Sequence, residues 1–167
     1  MNLDFQILSY GGTCLEDMEV TSLLYSVFVK EGYTQKSYAE KSFVPNEIRR
    51  RGEIKLARSN AGQLLGMAIF VPSSSSACQV AKKDEAEIQL LAVYPEVRGK
   101  GIGSRLVLVC EQQAISCGYT KMVLSTQQTM KDAHHLYEQH GYIYNSKRNW
   151  TRDGNNIYFV YEKVLQI

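Results

Sequence analysis

The chain has 167 residues, about one domain's length, and a core of that size can bury about 70% of the surface the unfolded form exposes. Hydrophobic residues make up 44% and charged residues 22%, ordinary for a globular protein, which excludes disorder and fibrous repeats. Lys and Arg number 19 against 17 Asp and Glu, and a formal charge of +2 gives no general field to draw nucleic acid or an anionic membrane.

The N-terminus carries Asp4 and lacks the basic start and apolar run of a signal peptide. Phe5–Tyr10 reads as a strand closed by Gly11 and Gly12. From Glu16 to Lys30 the apolar residues Val20, Leu23, Leu24, Val27 and Phe28 recur at helical spacing, and Gly32 ends the run. A polar stretch with Tyr33, Tyr38 and Phe43 follows, with room for a short helix after Pro45. Glu53–Ser59 alternates, residues 60–62 turn, and Leu64–Val71 is apolar, which predicts a hairpin. The uncharged stretch Ser59–Ala81 is too briefly apolar to span a bilayer, since Pro72 and the serines at 73–76 follow Val71.

Ala86–Tyr94 predicts another strand. After Pro95 a glycine-rich turn opens a helix whose Ile102, Leu106, Val109, Cys110, Ala114 and Cys117 share one stripe, with Gly118 at the left-handed cap position. Met122–Ser125 reads as a strand. Thr129 to Asp132 resembles a capping box opening a helix with Ala133, Leu136, Tyr137 and His140 on one face, stopped by Gly141. Tyr142–Asn145 and Ile157–Val164 read as strands joined through Asp153, Gly154 and Asn155. Strands mixed with helices, without linker or repeat, predict one α/β or α+β domain over residues 1–167.

Cys14, Cys78, Cys110 and Cys117 form no CxxC pair and no zinc spacing with histidine, so no metal is expected. Reduced thiols packed as small hydrophobes fit a cytoplasmic protein. His134, His135 and His140 crowd one helix without making a metal face. Arg49, Arg50 and Arg51, with Lys55 and Arg58, form a basic run offset by Glu47 and Glu53. A solvated face is the expectation, with an acidic acceptor or nucleic acid as the lesser alternatives.

The segment Glu87–Leu106 carries the chemistry. A strand enters a turn with Gly99, Gly101 and Gly103, and a helix leaves it. Glycines let the backbone turn tightly and approach a ligand, and the first N–H groups of the helix have no intrahelical partner. With the positive end of the helix dipole they make a phosphate site. The turn is no P-loop, because GxxxxGK with Ser or Thr is missing. It is no dinucleotide fingerprint either, because the third glycine falls on Ser104 or Leu106. There is no GxSxG elbow.

What fits is Arg98-x-x-Gly101-x-Gly103, which resembles the acyl-CoA signature of the GNAT superfamily of N-acyltransferases. The resemblance extends upstream through Leu91, Ala92, Val93 and Pro95. Downstream it takes in Ala133, Leu136, Tyr137, Glu138, Gly141 and Tyr142, so that Glu87 to Tyr142, a third of the chain, is covered. It implies a GNAT-like single domain, α/β in class, whose central twisted and mostly antiparallel sheet has about 6–7 strands flanked by about 4 helices. It also implies acetyl-CoA as acyl donor, with no metal. Backbone N–H groups of Arg98, Gly99, Lys100, Gly101, Ile102, Gly103 and Ser104 would hold the pyrophosphate. Main-chain groups of Leu91, Ala92 and Val93 would line the pantetheine arm, which Leu91 and Val93 bond like an added strand. The oxyanion would fall near the Val93 amide. Met130 stands where family members often place an Asn toward the cofactor arm, and Thr126, Thr129 or backbone are the candidate substitutes. Lys100, Arg105 and Lys131 are candidates for the adenosine 3′-phosphate.

An amine must be neutral to attack a thioester, and a lysine-like amine of pKa near 10.4 is only about 0.04% neutral at pH 7, equivalent to roughly 4.6 kcal/mol. Glu87 matches the position of the general base in the histone acetyltransferase branch, acting directly or through one water; the alternative is an exposed strand Glu grouped with Asp84 and Glu85. Tyr137 matches the family tyrosine that protonates the departing thiolate, whose pKa near 8.5 calls for only about tenfold to hundredfold help. Its ring can pack as core at the same time. Tyr33, Tyr38 and Trp150 are expected to shape the acceptor pocket. The implied function is acetyl transfer to a primary amine, of a small molecule or a protein, by direct attack in a ternary complex. A non-catalytic acyl-CoA sensor is the second class, and the exposed final strands suit a homodimer.

Overall fold

The computed structural model describes residues 3–167. Strand β1 (Phe5–Ser9) leads into helix α1 (Cys14–Leu24). The helix starts two residues before the predicted Glu16 because Thr13 caps it. Thr13 Oγ1 accepts the Glu16 N–H at 3.1 Å, and the Glu16 carboxylate accepts the Gly11 N–H at 3.1 Å. Thr13 thus satisfies one orphan N–H of the first turn, and Glu16 reaches back past the cap to tie down the Gly11 main chain. The helix runs on through a π-helical turn, Tyr25–Val29, a distortion frequent at functional sites. Two short helices follow, α2 (Lys36–Ser42) and α3 (Pro45–Arg49), the latter with its proline in the first turn, where no N–H is needed.

The predicted hairpin is present as β2 (Glu53–Ser59) and β3 (Leu64–Pro72), followed by β4 (Glu85–Val93). Helix α4 (Ile102–Ser116) ends in a Schellman cap. Tyr119 N–H donates to Ala114 O and Gly118 N–H to Ile115 O, both at 3.0 Å, with Gly118 at φ +82° as expected. Then come β5 (Lys121–Gln127), α5 (Lys131–Gln139), β6 (Ile143–Tyr144), β7 (Trp150–Thr151) and β8 (Ile157–Val164).

The strands form a single sheet ordered β1-β2-β3-β4-β5-β8-β6, with β7 also on β8. The β4–β5 pair is parallel and the other pairings are antiparallel. The strand count is eight rather than six or seven, because the segment before β8 pairs with it twice, as β6 and β7. The helices are five rather than four, because the polar stretch after Gly32 holds both α2 and α3. β3 is buried from Leu64 to Val71, as a central strand covered on both faces must be. On one face α4 packs Leu106, Val107 and Cys110 against Ile88, Met122 and Leu124. On the other, Val20, Leu23 and Leu24 of α1 meet Leu56, Met67 and Ile69.

Two expectations of detail are corrected. Helix α5 is capped by Met130 with no side-chain bond, so the Thr129–Asp132 box does not form. Cys117 lies at the C-cap of α4 and is exposed, because the helix has unwound there and no longer keeps it over the stripe. No helix among the described residues is long and apolar enough to cross a membrane.

Candidate active site

β4 and β5 pair only from Glu85 with Lys121 to Ile88 with Leu124. Beyond that point β4 carries one extra residue relative to β3: Met67 faces Ala92 and Ile69 faces Gln89, so Leu90 and Leu91 oppose Ala68 alone. Leu90 adopts φ +49°, a strained value for a bulky side chain, and the bulge bends β4. The parallel strands therefore part, and two cavities abut in the opening. One is a cleft of about 460 Å³ and the other a pocket of about 110 Å³; Phe28, Leu91, Met130 and Ala133 border both.

The larger cleft is headed by the glycine-rich turn. Gly99 and Gly101 hold φ +75° and +82°, and Gly101 is the N-cap of α4. A side chain at either would meet open space, so glycine is there for its backbone conformation. The helix start has no side-chain cap and no acid in its first turn, leaving its N–H groups to an anion. A Cβ on Gly66 of β3 would come within 2.8 Å of Ala92 O and 3.2 Å of Ile102, which seats the start of α4 close against the sheet. The residues present therefore fit the diphosphate end of coenzyme A, with Lys100 and Arg105 exposed close by in the chain and Lys131 exposed at the first position of α5.

Of the ten cofactor residues named from sequence, Leu91, Val93, Arg98, Gly99, Gly101, Ile102, Gly103 and Ser104 line this cleft. Ala92 is 2% exposed and packs in the core on the α1 side, since its side chain alternates away from the opening. Lys100 is exposed and outside the lining. The Arg98 side chain turns to protein: its guanidinium donates to both oxygens of Glu31 at 2.9 and 3.0 Å and its Nε to Val93 O at 3.0 Å. The glycine turn is thereby tied to the end of α1, and one main-chain acceptor of Val93 is already engaged. Met130 offers no donor, but Thr126 Oγ1, buried and without a partner, lines the adjoining pocket.

Tyr137 and Glu87 both border the smaller pocket. Tyr137 is 5% exposed and set edge-on to Tyr142 with ring centroids 5.9 Å apart. Burial, with Cys110 adding to it, drives its pKa far above that of an ordinary phenol, so the hydroxyl keeps its proton. Glu87 is fully buried. Its Oε2 accepts the N–H groups of Gln79, Val80 and Ala81 at 3.0, 2.9 and 3.1 Å and the Cys78 thiol at 3.5 Å, while Oε1 accepts Gln89 Nε2 at 2.7 Å. This differs from the expected base facing an acceptor: the carboxylate lone pairs are already taken by five donors. Desolvation, followed by Glu87, raises the Cys78 thiol to about 11, and desolvation raises Cys110 to about 12.

The basic run from Arg49 to Arg58 resolves into ion pairs. Arg49 binds Asp17, Arg50 binds Glu47, Lys55 binds Glu53 and Arg58 binds Glu19. Arg51 is the exception; it is buried and lines the smaller pocket with Gln89, Ser125, Thr126, Gln127 and Arg152. Of these, the sequence named Thr126 only toward the cofactor arm and Arg51 only as part of the basic run; Gln89, Ser125, Gln127 and Arg152 were not singled out, and their spacing carries no signal that would have done so. Of the three aromatics expected at the acceptor, Tyr38 lines this pocket and Tyr33 the larger cleft. Trp150 stands behind the wall, stacked on Tyr158 at 4.5 Å with its Nε1 donating to Ser125 Oγ. No cluster of His, Cys, Asp and Glu among the described residues is placed to hold a metal. His134 instead packs flat against Phe159 and bonds Gln127 O at 3.0 Å.

Among curated proteins, the uncharacterised N-acetyltransferase YjgM of Escherichia coli (strain K12) is 31% identical over 81 residues, 48% of this chain and 46% of that protein. The aminoalkylphosphonate N-acetyltransferase of Salmonella typhimurium (strain LT2) is 43% identical over 56 residues, 34% of this chain and 36% of that protein. The chain thus spans less than half the length of either relative. A solved acetyltransferase of the GNAT family from Staphylococcus aureus Mu50 aligns with a TM-score of 0.75 at 14% identity, covering 98% of this chain and 100% of that one, a likeness of fold. Residues 17–142 match the Acetyltransferase (GNAT) family, and to that family the chain belongs.

Proposed function

We propose that this chain, acting as one domain, is an acyl-CoA-dependent N-acetyltransferase that moves acetyl from acetyl-CoA to the primary amine of a small molecule by direct attack in a ternary complex. The observation that carries the reading is the pair of abutting cavities: a cleft headed by an uncapped helix start, and a small polar pocket meeting it at Leu91 and Ala133. Acetyl-CoA supplies the thioester. The turn from Arg98 to Ser104 binds the diphosphate, Leu91 and Val93 guide the arm, and Tyr137 delivers a proton to the leaving sulfur. A covalent route through cysteine is disfavoured, because the half-buried Cys78 and the buried Cys110 thiols stay protonated at neutral pH.

We assign Glu87 a positioning role, orienting Gln89 and the 79–81 main chain, instead of direct proton abstraction. Neutral amine would then be supplied by the pocket's own field, which disfavours an added cation, and by exchange with solvent. As the C–N bond forms and the C–S bond breaks, the nitrogen loses one proton to solvent, and an equal proton from solvent restores Tyr137 after it has protonated the sulfur. The Salmonella relative acts, by its name, on a small amine, which supports a small acceptor here.

The test is calorimetric titration of coenzyme A followed by thiol release from acetyl-CoA over a panel of small amines, peptides and proteins. The reading expects coenzyme A to bind and at least one small amine to release thiol. Binding without release across the panel would establish the sensor instead, and no binding would sink both.

A further inference from the structure

The smaller pocket contains an arginine without a counter-ion. Arg51 is only 8% exposed, and its guanidinium makes one bond, from Nη1 to Gln89 Oε1 at 2.8 Å. Its Nε is buried with no acceptor at all. Among the described residues no carboxylate oxygen lies within 4.0 Å of it, whereas Arg49, Arg50, Arg58, Arg98 and Arg148 each have one. A buried charge left in this way is expensive unless something else supplies the counter-charge. Burial pulls its pKa below the usual guanidinium value, Tyr38 partly opposes this, and Arg152 and Arg50 repel it further.

Arg152, from the β7–β8 turn, is the second cation of the pocket. It lies over the rings of Tyr38, Tyr158 and Trp150, at 4.7, 5.3 and 5.6 Å from their centroids. Such stacking holds a guanidinium in place while leaving its N–H edge open to an anion. It too has no carboxylate within 4.0 Å among the described residues, and it is exposed, at the outer side of the pocket where Arg51 is buried. The one carboxylate bordering the pocket, Glu87, already serves three loop N–H groups and Gln89. Two guanidinium groups thus face one saturated carboxylate across about 110 Å³, a space for a compact ligand rather than a polypeptide segment. A plain ammonium would add a third positive charge.

We propose, on the transferase reading above, that the acceptor is a small amine that itself carries an anionic group, a carboxylate, phosphonate or phosphate, held between Arg51 and Arg152 with its amine toward Leu91 and Ala133. Planar guanidinium forks bind such oxyanions through paired N–H donors. Thr126 Oγ1, buried and unpartnered in the same pocket, is a further donor to the ligand.

The experiment measures kcat/KM for thiol release with matched amines of equal chain length: an amino acid, the corresponding aminoalkylphosphonate, the amino-alcohol phosphate, the amino-acid amide and the plain alkylamine. At least one anionic amine should exceed both the amide and the alkylamine by a hundredfold or more, and the ranking of the first three identifies the anion. R51M should lower the ratio of anionic to plain amine to within a few fold, and R152Q should raise KM for the anionic amine about tenfold while leaving coenzyme A affinity as it was. Should R51M not fold, methylphosphonate or acetate in the wild-type protein should inhibit competitively against the amine and not against acetyl-CoA. Equal use of plain and anionic amines, or an equal loss with all acceptors in R51M, overturns the proposal with the transferase intact. Absence of thiol release with every amine overturns the transferase reading itself.

Discussion

At the residue scale, Glu87 and Tyr137 separate what position along the chain can say from what surroundings can say. Both match family positions along the sequence, yet one is a buried phenol that keeps its proton and the other is a carboxylate already filled by donors. Y137F should therefore lower kcat about tenfold to hundredfold with little change in acceptor KM, because only the protonation of a modestly basic thiolate is lost. E87Q is expected to behave differently. An amide in that place sets its NH2 against an N–H donor, at a cost of about 1–3 kcal/mol, visible as a fall in urea midpoint. The acidic limb of the pH–rate profile should persist in E87Q; its disappearance in a protein of unchanged stability would restore Glu87 as the base. Arg51 makes the same point from the other side. Three consecutive arginines look alike in sequence, and Glu47 and Glu53 suggest a solvated run. The α3–β2 connection instead sends Arg49 and Arg50 to surface carboxylates and folds Arg51 inward.

At the scale of elements, the turn and helix from Gly99 to Ser116 could be read almost entirely in advance, because each feature is local. Left-handed glycines, an uncapped helix start and a Schellman end depend on residues a few positions apart. Gly101 and Gly118 share φ +82° and open space around a would-be Cβ, so alanine at either should cost about 1 kcal/mol through backbone conformation alone. On the proposed function, only G101A should also weaken coenzyme A binding, about tenfold by calorimetry, since Gly101 sits in the proposed phosphate cradle while Gly118 lies at the far end of the same helix. Equal affinity in the two variants would remove the cradle from that turn. The bulge at Leu90 was invisible beforehand. Nothing in the run of residues 88–93 marks the extra residue, which shows itself only when β3 provides the register against which to count.

For the whole molecule, one ion network ties the last third of the chain to the pocket's rear wall. Arg148 donates to both oxygens of Glu85 at 3.0 and 2.7 Å, to Glu162 at 2.9 Å and to Val80 O at 2.6 Å, and Lys121 stands 3.7 Å from both carboxylates. Val80 is among the residues whose N–H groups hold Glu87, so the network reaches the candidate site. Burial works to raise Glu85 and Glu162, but Arg148 and Lys121, aided by the Lys82 N–H at Glu85, outweigh it and keep both below the usual carboxylate range. Groups depressed on folding contribute stability above their unfolded pKa, near 4.3, and lose it as pH falls through the folded values. R148A should therefore destabilise by about 2–3 kcal/mol at pH 7, less than a fully buried pair because Glu162 keeps 23% exposure. Urea titrations should show that gap shrinking as pH drops below about 4. A gap independent of pH would mean that Arg148 acts through packing alone.

Fold class, the glycine-rich turn with its uncapped helix start and the family were readable from 167 letters because they rest on short-range periodicity, turn chemistry and a motif contiguous in the chain. The smaller pocket was not. Its walls come from α2, the α3–β2 connection, β4, β5, α5 and the terminal hairpin, segments as far apart as Phe28 and Tyr158. Charge pairing, burial and the direction of a side chain across such distances follow from how the sheet and helices pack, and packing is a property of the assembled chain rather than of neighbours along it.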